Sequence, residues 1–183
     1  RQHVTVALGG DGGDELFAGY STLQAHRLTD VYRRVPGFLR NGLIEPAVRA
    51  LPVSHNNLSF DFKAKRFVQA AHEPAPVRHH RWLGSFTAEE KAAIYRPEVA
   101  DALRNTDALD VARSYYDRCG AGDVLNRVLY MDMKLYLDTD ILAKVDRTSM
   151  ASSLEARVPF LNAEMLDLAN RIPLGLKLKG FTR

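Results

Sequence analysis

A glycine-rich stretch near the start of the chain, GGDGGDELFAGY at residues 9–20, limits the fold more than any other feature. The alternating β-branched and apolar residues 4–8 before it predict a short buried strand. Apolar residues at helical spacing after it predict a helix over residues 14–35, which Pro36-Gly37 ends. The paired glycines on either side of Asp11 permit positive φ angles and a close approach of the backbone to a ligand. The sequence therefore predicts a strand that turns through a glycine loop into a helix.

Three acids lie within this loop, namely Asp11, Asp14 and Glu15. The free N–H groups at the start of a helix favour an anion, usually phosphate, but acids repel phosphate unless a divalent cation lies between them. Mg²⁺ prefers such oxygen ligands, so the loop predicts a magnesium–phosphate corner at the end of a strand. The alternative is that Asp14 and Glu15 only cap the helix and the glycines only form the turn. A calcium-binding β-roll is excluded because the nonapeptide pattern has no second copy.

Composition narrows the class of protein. Hydrophobic residues make up 46% and charged residues 26% of the 183 residues, as in an ordinary soluble globular domain. The net charge of +3 comes mostly from arginines spread along the chain, which does not argue for nucleic-acid binding. The single Cys119 excludes an internal disulfide and favours a reducing compartment. We therefore expect a cytoplasmic protein without a membrane-spanning segment.

The two ends of the sequence indicate a piece of a larger domain. The sequence starts without Met, almost on a predicted core strand, and residues 176–183 show no pattern that predicts a closing helix. One clear strand cannot build a parallel sheet. We therefore expect a mainly α-helical fragment with one clear strand, taken from a larger α/β domain whose other strands lie upstream.

Apolar periodicity predicts the remaining helices. A Thr-x-x-Glu capping box at Thr87 starts a short helix, and Asp123 caps another. His79-His80 lacks the spacing of a metal site, so a solvated or capping role is expected, whereas Trp82-Leu83 is expected in the core. Residues 138–140 are expected to break one helix and cap the next. Pro74 and Pro76 are expected to stop the helix over residues 58–72. The predicted helical ranges are 37–51, 58–72, 112–118, 124–137, 141–150 and 163–171.

Two further acids, Asp132 and Asp146, lie on otherwise apolar helix faces. A buried carboxylate needs a partner, so we expect both to be buried and paired with Lys144, Arg147 or Arg157. For Asp132, a structural salt bridge and a functional role are equally open.

The segment around these basic residues has simpler interpretations too. Asp140 lies four residues before Lys144, a spacing typical of an ion pair on a helix surface. Pro159 forces Val158 out of the helical region. If this stretch is extended, Glu155 and Arg157 point to one face.

Two separated stretches, GDGGDELFAGY at residues 10–20 and DILAKVDRTSMASSLEARVPFLN at residues 140–162, resemble two signatures of the asparagine synthetase family. The resemblance implies that residues 1–183 are the C-terminal portion of a Rossmann-like synthetase domain of the ATP-pyrophosphatase type. It implies that ATP and Mg²⁺ are used to activate a carboxylate as an acyl-adenylate. It also implies that ammonia, cut from glutamine by an N-terminal domain, then displaces AMP.

The same resemblance implies roles for individual residues. Asp14 matches the family aspartate that binds Mg²⁺ and pyrophosphate, and Asp11 matches an acid that acts as a base or contacts the substrate. The remaining nucleotide-binding residues of the loop are Gly10, Gly12, Gly13 and Glu15. The residues implied around the substrate pocket are Lys144, Asp146, Arg147, Glu155 and Arg157.

Departures from the family pattern leave the substrate open. Gly9 and Gly13 stand where serine is common, Asn162 replaces a common aspartate, and Asp11 is one methylene shorter than the usual glutamate. These features are similar to a broader amidotransferase branch. Aspartate is the expected acceptor. The alternatives are an enzyme that uses another carboxylate as the acceptor and a module that keeps the fold without catalysis. We expect small-molecule partners and no nucleic acid or membrane, with a homodimer allowed for the full-length protein. Without an SGGxDS loop or a glutaminase domain, residues 1–183 alone are expected to be inactive.

Overall fold

The computed structural model describes residues 3–56, 59–84 and 86–180. The chain forms two compact units. Unit 1 comprises Arg1–Gln24 and Ser114–Arg183, and unit 2 comprises Ala25–Arg113. Among the described residues, no helix combines the length and apolarity needed to cross a membrane.

Unit 1 contains a parallel pair of strands. Strand β1 (Val6–Leu8) pairs with β2 (Glu155–Arg157), and Ala7 lies opposite Ala156. The prediction of one strand missed β2, because three residues with two charged side chains give no apolar strand signal. The prediction that residues 4–8 are buried is wrong for this chain. Leu8 is 73% exposed because β2 is the one strand that pairs with β1 among the described residues.

The helix predicted over residues 14–35 is divided. Helix α1 (Gly13–Phe17) ends at Ala18, whose φ of 60° is left-handed, and α2 (Ser21–Tyr32) follows. The Gly19 N–H donates to the Asp14 carbonyl oxygen at 2.9 Å and closes the end of α1. The chain therefore turns sharply directly after the acidic loop, a feature that apolar periodicity does not reveal.

Three helical segments of unit 1 follow one another without interruption. Helix α10 (Val124–Asp132) is capped by Asp123, as predicted, since the Asp123 carboxylate accepts the Asn126 N–H at 2.9 Å. A π-helical segment, Met133–Leu142, then leads into α11 (Ala143–Ala151). The predicted break at residues 138–140 is wrong, because the wider π-helical turns carry the chain through these polar residues.

The end of unit 1 consists of short elements. A 3₁₀ turn (Pro159–Leu161) precedes α12 (Ala163–Arg171), which confirms the predicted range, and a short α13 (Leu174–Lys177) follows. The core of unit 1 contains Leu16, Leu23, Val128, Leu129, Met131, Leu137, Ala169 and Leu178.

Unit 2 is helical in its described part. Helix α3 (Gly37–Leu39), a π-helical segment (Arg40–Ile44) and α4 (Glu45–Arg49) cover the predicted range 37–51. Helix α5 (Phe60–Ala70) lies within the predicted 58–72, and Leu58 is outside the described residues. The remaining helices are α6 (Ala75–Leu83), α7 (Ala88–Ile94), α8 (Pro97–Ala102) and α9 (Leu109–Arg118), of which only residues 109–113 belong to unit 2. Tyr32, Val68 and Ala71 form a core cluster.

Helix α6 corrects two expectations. Helix α5 already ends at Ala70, and Pro74 and Pro76, predicted as breaks, start α6, since proline fits the first turn of a helix. His79 is completely buried, so the expected solvated or capping role is wrong for it. Trp82 packs against Phe67 with ring centroids 5.9 Å apart, as expected of a core residue, whereas Leu83 is exposed. The capping box at Thr87 is confirmed.

Candidate functional site

The glycine loop lies where the two parallel strands end. The Gly9 N–H donates to the Arg157 carbonyl oxygen at 2.8 Å, which continues the β1–β2 pairing by one step. The Gly13 N–H donates to the Gly10 carbonyl oxygen at 3.2 Å and closes the turn into α1. Ligands of open α/β sheets bind beyond the carboxyl ends of the strands, so the loop is in the position expected of a binding site.

Gly12 and Gly10 serve the loop differently. Gly12 has a φ of 87°, and a Cβ there would lie 2.5 Å from Leu161 Cδ2. Gly12 is therefore required by the backbone and by the packing of the 3₁₀ turn beneath it. At Gly10 a Cβ would meet nothing within 4 Å. The space next to Gly10 is therefore open to a ligand.

The three acids of the loop point to different surroundings. Asp14 is exposed and Asp11 is half-buried, so both carboxylates can reach a ligand. Glu15 is 1% exposed, and Tyr20 donates its hydroxyl to Glu15 Oε1 at 2.6 Å. Burial, followed by the hydrogen bond and charge of Glu15, raises the pKa of Tyr20, so its hydroxyl stays protonated. The hydrogen bond from Tyr20 thus holds the buried Glu15 side chain of the loop in place.

Tyr20 was not singled out by the sequence analysis. Its side chain returns to Glu15 because α1 is only five residues long and the chain reverses at Ala18. The Tyr136 ring lies edge-on against Tyr20, with centroids 5.8 Å apart, and supports this position. The spacing of Glu15 and Tyr20 within GDELFAGY is the sequence signal for this hydrogen bond. The signal is recognisable only once the left-handed Ala18 shows that the chain reverses between the two residues.

The loop carboxylates suit Mg²⁺ held jointly with phosphates. The described residues contain no cluster of three or more His, Cys, Asp or Glu side chains able to hold a metal by themselves. Mg²⁺ commonly takes one or two carboxylates and completes its shell with water and substrate phosphates. A Cβ at Gly19 would overlap the Asp14 carboxylate, so glycine at that position leaves room for Asp14. Asp14, with Asp11 nearby in sequence, therefore fits such an ion.

The second group of predicted site residues lies on α11 and β2 and is exposed. Lys144 pairs with Asp140 at 3.1 Å, which is the simple helical pair foreseen for it. Glu155 and Arg157 share a face as predicted and pair at 2.6 Å, which raises the pKa of Arg157. Through its backbone, Arg157 is the member of this group that bonds to the loop.

The two acids predicted to be buried differ. Asp132 is 2% exposed, which confirms its predicted burial, and it has an interaction partner, whereas its pairing with Lys144, Arg147 or Arg157 stays a prediction. Asp146 is exposed, so the prediction of its burial is wrong. Its neighbour Met150 is 58% exposed, which shows that this apolar face of α11 is not covered by the described chain. Arg147, also on α11, is exposed.

A cavity of about 590 Å³ lies inside unit 1, on the interior side of the loop. Of the predicted site residues, Glu15 is the one on its wall. Its lining also includes Lys177, a buried lysine that the sequence analysis did not single out. The remaining lining comes mainly from α10, the π-helical segment and α12.

Comparison with known proteins gives consistent relatives. The family model described as asparagine synthase matches residues 1–183. Asparagine synthetase [glutamine-hydrolyzing] 1 of Bacillus subtilis is 31% identical over 187 residues, covering 100% of this chain and 27% of that protein. A putative asparagine synthetase [glutamine-hydrolyzing] of Mycobacterium tuberculosis is 31% identical over 183 residues, covering 97% of this chain and 26% of the relative.

One further relative matches a shorter stretch of the chain at higher identity. The putative asparagine synthetase [glutamine-hydrolyzing] 2 of Methanocaldococcus jannaschii is 56% identical over 41 residues, covering 22% of this chain and 8% of that protein. The chain spans about a quarter of the length of the first two relatives. No solved structure matches the chain.

Proposed function

Because the chain belongs to the asparagine synthase family, we propose that the protein carrying it is an ATP-dependent amide ligase. The proposed reaction converts aspartate to asparagine with glutamine-derived ammonia and releases AMP and pyrophosphate. The family match over residues 1–183 carries this proposal. The position of the glycine loop at the carboxyl ends of β1 and β2 supports it. A Rossmann-like parent domain that supplies further parallel strands is part of the same proposal.

The proposed chemistry has two steps. A carboxylate oxygen of the acceptor attacks the α-phosphorus of ATP, and the bond to pyrophosphate breaks. Ammonia then attacks the activated carbonyl carbon, loses a proton and displaces AMP. In the first step Asp14 would hold Mg²⁺ together with pyrophosphate oxygens, and the ion would neutralise the charge on the leaving group. The open backbone at Gly10 would let the phosphates approach the loop.

Asp11 is proposed to serve the second step. It is half-buried and lies three residues before Asp14, so it can face the acyl group while Asp14 faces the phosphates. A carboxylate there can orient ammonia or accept its proton as the amide forms. A positioned base of this kind contributes about 10²- to 10⁴-fold in rate.

An acceptor other than aspartate is the second candidate. It is favoured by Asp11, since the resemblance leads one to expect the longer glutamate at this position. A shorter acid leaves more room beside the acyl group, which suits a larger carboxylate.

The proposal is tested with the full-length natural protein that contains this sequence. The protein is incubated with ATP, Mg²⁺, glutamine and aspartate, and the nucleotides and amino acids are identified by mass spectrometry. The proposal expects AMP, pyrophosphate, asparagine and glutamate in equal amounts. Formation of ADP and phosphate would contradict it. AMP formed only with another carboxylate from a panel would support the second candidate.

A further inference from the structure

Lys177 is a buried cation on the wall of the unit 1 cavity. It is 9% exposed, yet among the described residues its ammonium group makes no ion pair or hydrogen bond. The Asp123 carboxylate acts electrostatically on the Lys177 ammonium group without forming an ion pair with it. The Asp123 carboxylate is engaged elsewhere, since it accepts the Asn126 backbone N–H at 2.9 Å and side-chain N–H at 2.7 Å.

An ammonium group in this position is energetically unfavourable. Most of the Lys177 side chain is withdrawn from bulk water and its ammonium group has no close counter-ion within the described part of the chain, which disfavours the charged form. Burial accordingly lowers the pKa of Lys177, and the more distant Asp123 opposes this shift only in part. An anion in the cavity would provide the missing counter-ion and restore the charged form.

The rest of the cavity selects among anions. Its volume of about 590 Å³ suits a small ligand. The Glu15 and Asp138 carboxylates and the Lys134 ammonium group also lie on the wall, so with Lys177 the described wall carries two charges of each sign. A wall without net positive charge does not favour a multiply charged anion such as phosphate over a singly charged one. Apolar side chains form most of the remaining wall, namely Leu16, Leu129, Met133, Leu137, Leu142, Leu161 and Leu166.

From these observations we propose that the cavity binds a monocarboxylic acid with an apolar body, whose carboxylate contacts the Lys177 ammonium group. The apolar body lies against the leucines and Met133. This inference does not rest on the proposed ligase function, because binding requires neither ATP nor turnover. All residues that line the cavity belong to unit 1, so the proposed site lies within that unit.

Binding is measured by calorimetry with the full-length natural protein in the absence of ATP. Hexanoate is the probe, hexanamide removes its charge, acetate removes its apolar body, and inorganic phosphate replaces the carboxylate. A charge-assisted hydrogen bond corresponds to about a 10- to 100-fold difference in Kd. We therefore expect hexanoate to bind and each of the other three compounds to bind at least about 10-fold more weakly. No hexanoate binding, or equal binding of hexanamide, would overturn the proposal.

Two variants and one measurement on the unaltered protein locate the site. Lys177→Met keeps the volume and removes the buried charge, and it should lose hexanoate binding. Lys179→Met, at an exposed lysine two residues away, should bind like the wild type. In the wild type, hexanoate should slow labelling of Lys177 by an amine-reactive reagent, read by peptide mass spectrometry, and leave Lys179 unchanged. Unaltered labelling at Lys177, or binding retained by Lys177→Met, would place any hexanoate site elsewhere and refute this one.

Discussion

At the scale of single residues, Gly12 is needed for the conformation and packing of the loop, whereas Gly10 leaves space for a ligand. An alanine at Gly12 would take a left-handed φ and press its Cβ on Leu161. We expect Gly12→Ala to lower the free energy of unfolding by about 1–2 kcal/mol from the backbone term alone. Gly10→Ala has no such contact and should change stability by less than about 0.5 kcal/mol. Urea unfolding of both variants checks this, and equal losses would contradict it.

Tyr20 and Glu15 give a second test at this scale. Tyr20→Phe removes the hydroxyl that donates to the buried Glu15 carboxylate. Since a hydrogen bond to a charged group contributes about 1.5–3 kcal/mol, the free energy of unfolding should fall by about this amount. Tyr136→Phe keeps the ring contact with Tyr20 and is the matched control. If both variants unfold at the same denaturant concentration as the wild type, Glu15 is not held by Tyr20.

Asp11 is tested by separating the two proposed steps. Asp11→Asn in the full-length protein should leave adenylate formation, measured as exchange of pyrophosphate into ATP, largely intact. Amide formation should fall about 10²- to 10⁴-fold, because the proposed base is lost. A parallel loss of both steps together with thermal stability would show that Asp11 only holds the turn.

At the scale of helices, α6 brings a buried polar cluster into unit 2. The Arg78 Nε–H donates to His26 Nδ1 at 3.0 Å, and His26 Nε2 lies 3.0 Å from His79 Nδ1. Since arginine can only donate, His26 Nδ1 accepts, and the proton of the neutral ring lies on Nε2, facing His79. Trp82 closes the cluster edge-on, with its ring centroid 4.9 Å from that of His26.

This cluster makes stability depend on pH. Burial, followed by the charges of His79 and Arg78, lowers the pKa of His26 well below its usual range. The unfolded chain binds a proton on His26 below about pH 6.5 while the folded chain does not, so stability is complete above that pH and lost as the pH falls. The expected loss for His26 is about 1.4 kcal/mol per pH unit well below pH 6.5.

Thermal unfolding between pH 7.5 and 5 measures this dependence. His26→Gln can keep one acceptor for Arg78 and one donor for His79 without titrating, so its melting temperature should fall less steeply with pH than that of the wild type. His55→Gln, at an exposed position, should leave the slope unchanged. Identical slopes for wild type and His26→Gln would remove His26 as the cause.

Local signals made much of the helical structure predictable. The capping box at Thr87, the cap at Asp123 and the range 163–171 follow from side chains acting on neighbouring backbone groups. The failures lie where distant contacts decide. Residues 133–142 stay helical through a π-helical segment, and α6 starts at prolines that the sequence pattern predicts only as breaks.

At the scale of the whole molecule, the candidate site was predictable only in part. The loop and the family could be identified because their residues are contiguous in the sequence. The β1–β2 pairing joins residues about 150 positions apart, and the cavity draws Glu15 and Lys177 from opposite ends of the chain. Such long-range juxtapositions leave no local pattern, which is why Lys177 and the Glu15–Tyr20 bond emerged only from the structure.

The central claim is that Asp14 serves carboxylate activation by ATP in the asparagine synthase family. It is tested most directly by exchange of labelled pyrophosphate into ATP, with aspartate present, in the full-length natural protein. Asp14→Asn should lower this exchange by about 100-fold or more, since it removes the carboxylate proposed to hold Mg²⁺ at the leaving group. Asp30→Asn, at an exposed acid on α2, should exchange like the wild type. Near-normal exchange in Asp14→Asn, beside an active wild type, would contradict the account.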